Sequence, residues 1–306
     1  MKSAISIFLA ASFTTLLVLT CSLNPVWAEE WQESHPKIVM GIITSENESD
    51  RVERWKPVRE YLAKELSVEV TERLATDYAG VIEGVKAKKV DLAYFGPASF
   101  SRAWLVTNHQ VEPLVSKLNR DGGFGYHSVI VVKKDSPYKK IQDLEGKKFA
   151  FADPNSTSGH QAPRFFLHKQ GIDVDTFFGK TEFSGSHENS IVALLNGTFD
   201  AAATWWNGPT DNNPTRMEQK GMIKPGQWRI IWKSSLLPND PWTMPTWLPQ
   251  EMRKDVKQAI MQMPKKDPDT FEKWVGKESK GFRTVSVDDY EPIIEMIQAN
   301  MKERRG

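Results

Sequence analysis

Cysteine is all but missing: Cys21 is the only one in the chain, and it sits inside an N-terminal apolar stretch. Disulfides and thiolate metal sites are therefore excluded from whatever folds downstream of that stretch. Histidine is sparse as well. His35, His109, His127, His160, His168 and His187 include no pair at the i, i+4 spacing that helical metal ligands favour, so neither a metal site nor a cofactor is expected. Catalytic signatures are also lacking. There is no Gly-x-Ser-x-Gly elbow and no Walker lysine loop, and His187-Glu188 continues as Asn-Ser-Ile instead of closing a zinc-binding His-Glu-x-x-His. The expectation is a protein that is not an enzyme.

Long hydrophobic runs are confined to the start of the chain. Lys2, the apolar run Ile5 to Leu19 and the small-residue pattern Val26-Trp27-Ala28 read as an export signal over residues 1–28, with the folded protein beginning at Glu29. The run is too short for a spanning helix, and no later window approaches the ~20 apolar residues that one needs. Lipidation of Cys21 is the alternative, but Val18-Leu19-Thr20 is a poor lipobox. Export would place the protein in the periplasm of a cell with an outer membrane.

A surplus of either charge is missing too. Removing Lys2 with the leader from 40 basic residues leaves as many as the 39 acidic ones. That balance excludes a nucleic-acid footprint and a polybasic membrane surface, and makes any anion binding a local effect with a weak salt dependence.

What remains is an alternating α/β pattern. Lys37 to Thr44 reads as a strand, and Val52, Trp55, Val58, Leu62 and Leu66 mark one face of the helix after it. Strands at Val68 to Ala75 and Asp91 to Phe95 flank a helix from about Tyr78 to Ala87, an order that implies parallel pairing. Gly122-Gly123-Phe124-Gly125 supplies backbone freedom where the chain would cross to a second lobe. The second series has strands at Tyr126 to Lys133, Lys148 to Ala152, Thr181 to Gly185, Asp200 to Trp205 and Trp228 to Lys233, with helices at about Gly159 to Gln170 and Asn189 to Asn196. Helical segments at Met252 to Met263 and Tyr290 to Met301 should pack on the first lobe. The expected architecture is α/β and two-lobed, with residues 29–123 plus 234–306 in lobe 1, residues 124–233 in lobe 2 and a ligand cleft between them. Asp77 to Tyr94 echoes His187 to Thr204, pairing Asp91 with Asp200, although any two βαβ units share such a pattern.

Candidate site residues collect where strands end. Asp153-Pro154-Asn155-Ser156-Thr157-Ser158-Gly159 joins an apolar strand to a helix. A helix start offers unpaired N–H groups and the positive end of the dipole, and three hydroxyls there add donors for a tetrahedral oxyanion. Ordinary capping needs only one such residue. Tyr78 and Phe95 lie at equivalent ends in lobe 1 as candidate cleft walls, with core packing the alternative for Phe95. His187, Asn207 and Asp240 sit at further strand ends, where turn formation and capping are the plainer readings.

At these residues the sequence resembles the phosphonate-binding proteins of ABC transporters, which are type II periplasmic binding proteins. The resemblance runs from about Lys37 to Pro241. It rests on TDYAGVIEGVKAKKVDLAYFGPASF, GYHSVIVVKKDSPYKKIQDLEGKKFAFADPNSTSGHQAP, GSHEN and WKSSLLPNDP. It implies that Ser156, Thr157 and Ser158 grip phosphonate oxygens, with Tyr78 and His187 closing on the same group. It also implies a hinged clamp, a monomer, that delivers an alkylphosphonate, aminoethylphosphonate or phosphite to an ABC permease and its ATPase. Members that bind aminoethylphosphonate carry tyrosine where this chain has Phe95 and glutamate where it has Asn207, while Asp240 matches an acidic residue near the ammonium. The same fold binding phosphate, sulfate or a vitamin precursor is the alternative.

Overall fold

The computed structural model describes residues 30–43, 46, 48–276 and 279–303. The expected leader and Cys21 lie outside these residues. No helix among the described residues is long and apolar enough to cross a membrane.

Among the described residues, two sheets of six and five strands form the frame. In the first, β1 (Lys37–Ile42) pairs in parallel with both β2 (Glu69–Arg73) and β3 (Leu92–Tyr94), as the strand–helix alternation predicts. The helix Glu48–Leu66 connects β1 to β2, and the helix Tyr78–Lys86 connects β2 to β3. Trp55, Val58, Leu62 and Leu66 are buried on the first of these helices, but Val52 is 38% exposed and its neighbour Arg51 is buried instead. The guanidiniums of Arg51 and Arg59 both reach Glu72 on β2, and that shared carboxylate fixes which way the first turn faces.

Three strands of this sheet are not legible as strands in the sequence. They are β4 (Val111–Asn119), β10 (Pro241–Pro245) and β11 (Ser279–Thr284), all antiparallel, completing the order β11-β4-β10-β3-β1-β2. Proline disguises them. Pro241 and Pro245 bound β10, and Pro113 of β4 faces Thr243, where the register shifts after Trp242; ends and bulges are where a sheet tolerates a residue without an N–H.

The second sheet contains β5 (His127–Lys133), β6 (Lys148–Phe151), β7 (Lys180–Phe183), β8 (Ala201–Trp206) and β9 (Trp228–Lys233) in the order β7-β6-β8-β5-β9. The internal echo has a structural counterpart. Asp91 donates its N–H to Val39 O and accepts from Val39 N at 2.8 Å; Asp200 does the same with Lys148, at 2.9 Å for the side-chain bond. Each aspartate brackets the strand that lies parallel to its own.

The chain crosses between sheets twice, before β5 and after β9. The two crossings pair with each other through reciprocal bonds between Tyr126 and Leu237. A Cβ on Gly125 would stand 2.6 Å from Leu237 O, so this close approach requires glycine. The helix Gln250–Lys266 packs on the first sheet, as expected. The last helix, Glu291–Glu303, packs on Pro97–Val106 and also on Ala162–Lys169, and so touches both halves of the molecule. Asn300 donates to Gln161 and Glu303 meets Arg164 across that junction.

Candidate functional site

Between the sheets lies a cavity of about 110 Å³, walled by residues at or just beyond the C-terminal ends of strands: Ile43 after β1, Tyr94 and Gly96 at β3, Ser156 to Ser158 after β6, and Trp205 and Asn207 at β8. Ligands of open α/β sheets bind at this edge. A space of that size holds several waters or one small oxyanion.

The hydroxyl loop is built by a tight helix entry. Ser156 caps the turn by accepting from Gly159 N–H at 3.0 Å, and the turn Thr157–Gln161 is π-type, with Gln161 N–H donating to Ser156 O. The helix Ala162–Lys169 continues from it. Such widened turns recur at functional sites because they rotate the first side chains out of register. A Cβ on Gly159 would sit 2.5 Å from Ala152 Cβ, 2.8 Å from Ser156 Oγ and 2.9 Å from His187 Cε1, so the cradle closes only around glycine. Ser156, Thr157 and Ser158 are all nearly inaccessible to solvent.

His187 stands behind the loop at the start of the helix His187–Leu195. One ring nitrogen, Nε2, is 3.2 Å from Ser156 Oγ and the other, Nδ1, is 3.1 Å from Thr204 Oγ1. Burial lowers its pKa to about 3, so the ring is neutral and holds the serine by hydrogen bonding without adding charge. Tyr78, capped at its helix start by Asp77, is buried with its phenol against the Ser156 hydroxyl. Tyr126 sits beside Thr157 and Ser158. Burial, first of all, raises the pKa of both phenols, so each remains a neutral donor.

The opposite sheet closes the other side. Ala98 N–H, at the start of the helix Pro97–Val106, donates to Thr157 Oγ1 at 2.9 Å, and Ser99 Oγ donates to Asn155 O at 3.2 Å. Asp240 lines the same wall, and burial raises its pKa to about 6 against the pull of Lys117, Arg54, the Tyr94 phenol and Arg216.

Of the eight residues singled out in the sequence, seven line this cavity: Tyr78, Ser156, Thr157, Ser158, His187, Asn207 and Asp240. Phe95 does not. It is fully buried in a core cluster with Val81, Ala93 and Phe100, and Tyr94 faces the cavity instead. Successive residues of a strand point to opposite faces, so an error of one position exchanges wall for core. Asn207 spends its amide N–H groups on Asp211 at 2.8 Å and Asn119 at 3.3 Å.

Several wall residues escaped the sequence reading. Trp55 and Tyr94 belong to an aromatic cluster with Trp242 and Trp274, with centroids 5.0 to 5.6 Å apart. Glu46, Arg51, Arg54, Lys117 and Arg216 bring charge to the cavity. Lys117 and Arg216 meet Asp211, whose pKa falls to about 2 because these cations and two hydrogen bonds outweigh its burial. Among the described residues no group of three or more His, Cys, Asp or Glu side chains could hold a metal.

A family model described as ABC transporter, phosphonate, periplasmic substrate-binding protein matches residues 40–290. The phosphonates-binding periplasmic protein of Escherichia coli K12 is 33% identical over 240 residues, covering 77% of this chain and 68% of that protein. The phosphate-import protein PhnD of Mycolicibacterium smegmatis is 33% identical over 238 residues, covering 74% of this chain and 72% of that one. Among solved structures, PhnD1 of Prochlorococcus marinus in complex with methylphosphonate superposes with a TM-score of 0.73 at 25% identity, covering 88% of this chain and all of that one.

Proposed function

Because this chain belongs to the periplasmic phosphonate substrate-binding proteins of ABC transporters, we propose that it captures a small phosphonate-type oxyanion, such as an alkylphosphonate or phosphite, between its two lobes and presents it to a permease driven by an ATPase. The observation that carries this reading is the buried Ser156-Thr157-Ser158 turn at a helix start, backed by a neutral His187. A dianionic headgroup would find backbone N–H groups, hydroxyl donors and a positive helix end there, with no proton to exchange.

The lobes we assign are residues 29–123 plus 234–306, and 124–233, hinged at the paired crossings Tyr126 and Leu237. The anion docks on the serine-rich turn, closure brings the Ala98 helix start and Tyr78 over it, and release returns the ligand unaltered. Residues 1–28 act as the export leader and the working form is a monomer.

Phosphate is a second reading, favoured by the Mycolicibacterium relative named for phosphate import. The aromatic wall of Trp55 and Tyr94 argues for an alkylphosphonate, since a bare phosphate or phosphite would leave that part of the cavity unfilled. Calorimetric titration with methylphosphonate, aminoethylphosphonate, phosphite, phosphate and sulfate tests the reading. Micromolar or tighter binding of a phosphonate or phosphite, with phosphate much weaker, is expected. Phosphate binding more tightly than every phosphonate and phosphite would overturn it.

A further inference from the structure

Away from the hydroxyl turn the cavity wall changes character. Among the described residues its charged side chains are Glu46, Arg51, Arg54, Lys117, Arg216 and Asp240, four cations to two carboxylates. Three of the cations converge. Lys117 and Arg216 share one carboxylate, Asp211, at 3.5 and 2.8 Å, and Arg54 acts on both as a like charge. Among the described residues, Asp211 is the one polar side-chain contact of Lys117 Nζ, although an ammonium carries three N–H groups. Arg216 gives Asp211 a single Nη2 contact and lays its guanidinium on the Trp205 ring, 4.7 Å from the centroid. Arg54 donates Nε to Trp274 O at 2.7 Å and one terminal nitrogen to Glu46.

Donor capacity is thus left over on half-buried cations that face an open space, and an anion is what satisfies it. The charges around the two ends differ. The charged groups that act on Tyr78 and Tyr126, near the hydroxyl turn, are Asp153 and Asp240, whereas Tyr94 feels Arg54 and Arg216 as well. Asp240 stands between the ends, its Oδ1 within 3.8 Å of a Cβ built on Gly96, and Asn207 brings a neutral amide to the wall.

An ammonium tail would meet two carboxylates, Asp240 and Glu46, each of which already has cations of the same wall beside it. We propose that the cation end receives a second anionic group, so that the preferred cargo is a small phosphonate bearing a carboxylate on a short tail, and aminoalkylphosphonates are disfavoured. The inference rests on the phosphonate reading above and names the substrate class within it. The oxyanion occupies the Ser156–Ser158 turn, and the carboxylate takes the spare N–H groups of Lys117 and Arg216.

The test is calorimetric titration of residues 29–306 with 3-phosphonopropionate, 2-aminoethylphosphonate and methylphosphonate. The first two share a headgroup and a two-carbon linker but carry tails of opposite charge, and the third has no charged tail. 3-Phosphonopropionate is expected to bind about tenfold or more tighter than either of the others. Lys117→Met should shrink its advantage over methylphosphonate about tenfold, with a melting curve confirming that the variant folds. Lys117→Gln serves where the methionine variant does not fold. Aminoethylphosphonate binding as tightly as the carboxylate, or an advantage that survives loss of the Lys117 charge, overturns the inference while leaving the phosphonate reading standing. Failure of all three ligands to bind overturns both.

Discussion

Thr157 Oγ1 accepts a 2.9 Å hydrogen bond from Ala98 N–H, which ties one hydroxyl of the oxyanion turn across the cleft to a helix start of the opposite sheet. The acceptor side of that oxygen is occupied by protein, and the hydroxyl hydrogen is the part free to turn toward a ligand. On the proposed reading, Thr157 couples capture to closure.

Thr157→Ala removes both the donor and the tie. Hydrogen bonds to charged groups contribute about 1.5 to 3 kcal/mol, so the affinity for the bound phosphonate should fall roughly ten- to a hundredfold. Thr157→Ser keeps the oxygen and should lose little. Calorimetry on the pair decides it, and equal affinity for Ala and wild type would take the turn out of the site.

Gly159 offers a test by shape. An added Cβ meets Ala152, the Ser156 hydroxyl and His187 at 2.5 to 2.9 Å, and all three are buried. Gly159→Ala must push the Ser156–His187 pair apart, and overpacking of this kind costs about 1 to 3 kcal/mol. A lowered melting temperature together with at least tenfold weaker binding is expected; a variant that binds normally would show that the cradle can relax.

These sites differ in how far the sequence exposes them. Ser156 to Ser158, Tyr78 and His187 are legible because each falls where a strand gives way to a helix start, and that junction places a side chain at the sheet's C-terminal edge. Lys117, Arg54 and Arg216 are not. Each sits within a regular element among other charged residues, and only the tertiary packing tells that these face inward while Lys56 and Lys254 face water. Arg51 and Val52 make the point at one step: the apolar stripe favours Val52, but Glu72 on the neighbouring strand draws Arg51 into the interior. The same limit applies to Tyr94 and Phe95, adjacent aromatics at and just past the end of β3, and to β10, whose prolines hide a fully buried central strand.

His187 gives the folded state a pH dependence. Its folded pKa, about 3, lies below the ordinary histidine value, so its contribution to stability is complete above about pH 6.5 and is lost as pH falls toward 3. The loss from one such group is about 1.4 kcal/mol per pH unit within that window. Melting of the ligand-free protein between pH 7 and 4.5 should show it, and His187→Asn should flatten the slope. An unchanged slope would mean that the ring is protonated in the folded state.

Asp240 works in the opposite direction. Burial raises its folded pKa to about 6, above the ordinary aspartate value, so the stability linked to this group is present below about pH 3.8 and is lost as pH rises through 6. Asn resembles the protonated acid in shape and charge. Asp240→Asn should therefore melt higher than wild type at pH 7.5, by an amount corresponding to roughly 1 to 3 kcal/mol, and the difference should vanish near pH 4. The stabilising change removes the carboxylate that the family resemblance places near an ammonium, so a ligand with an anionic tail should bind the variant more tightly and aminoethylphosphonate less tightly. Wild-type stability exceeding that of Asp240→Asn at pH 7.5 would show that Lys117, Arg54 and Arg216 hold the carboxylate ionised at a net gain, and that Asp240 serves as their counter-charge.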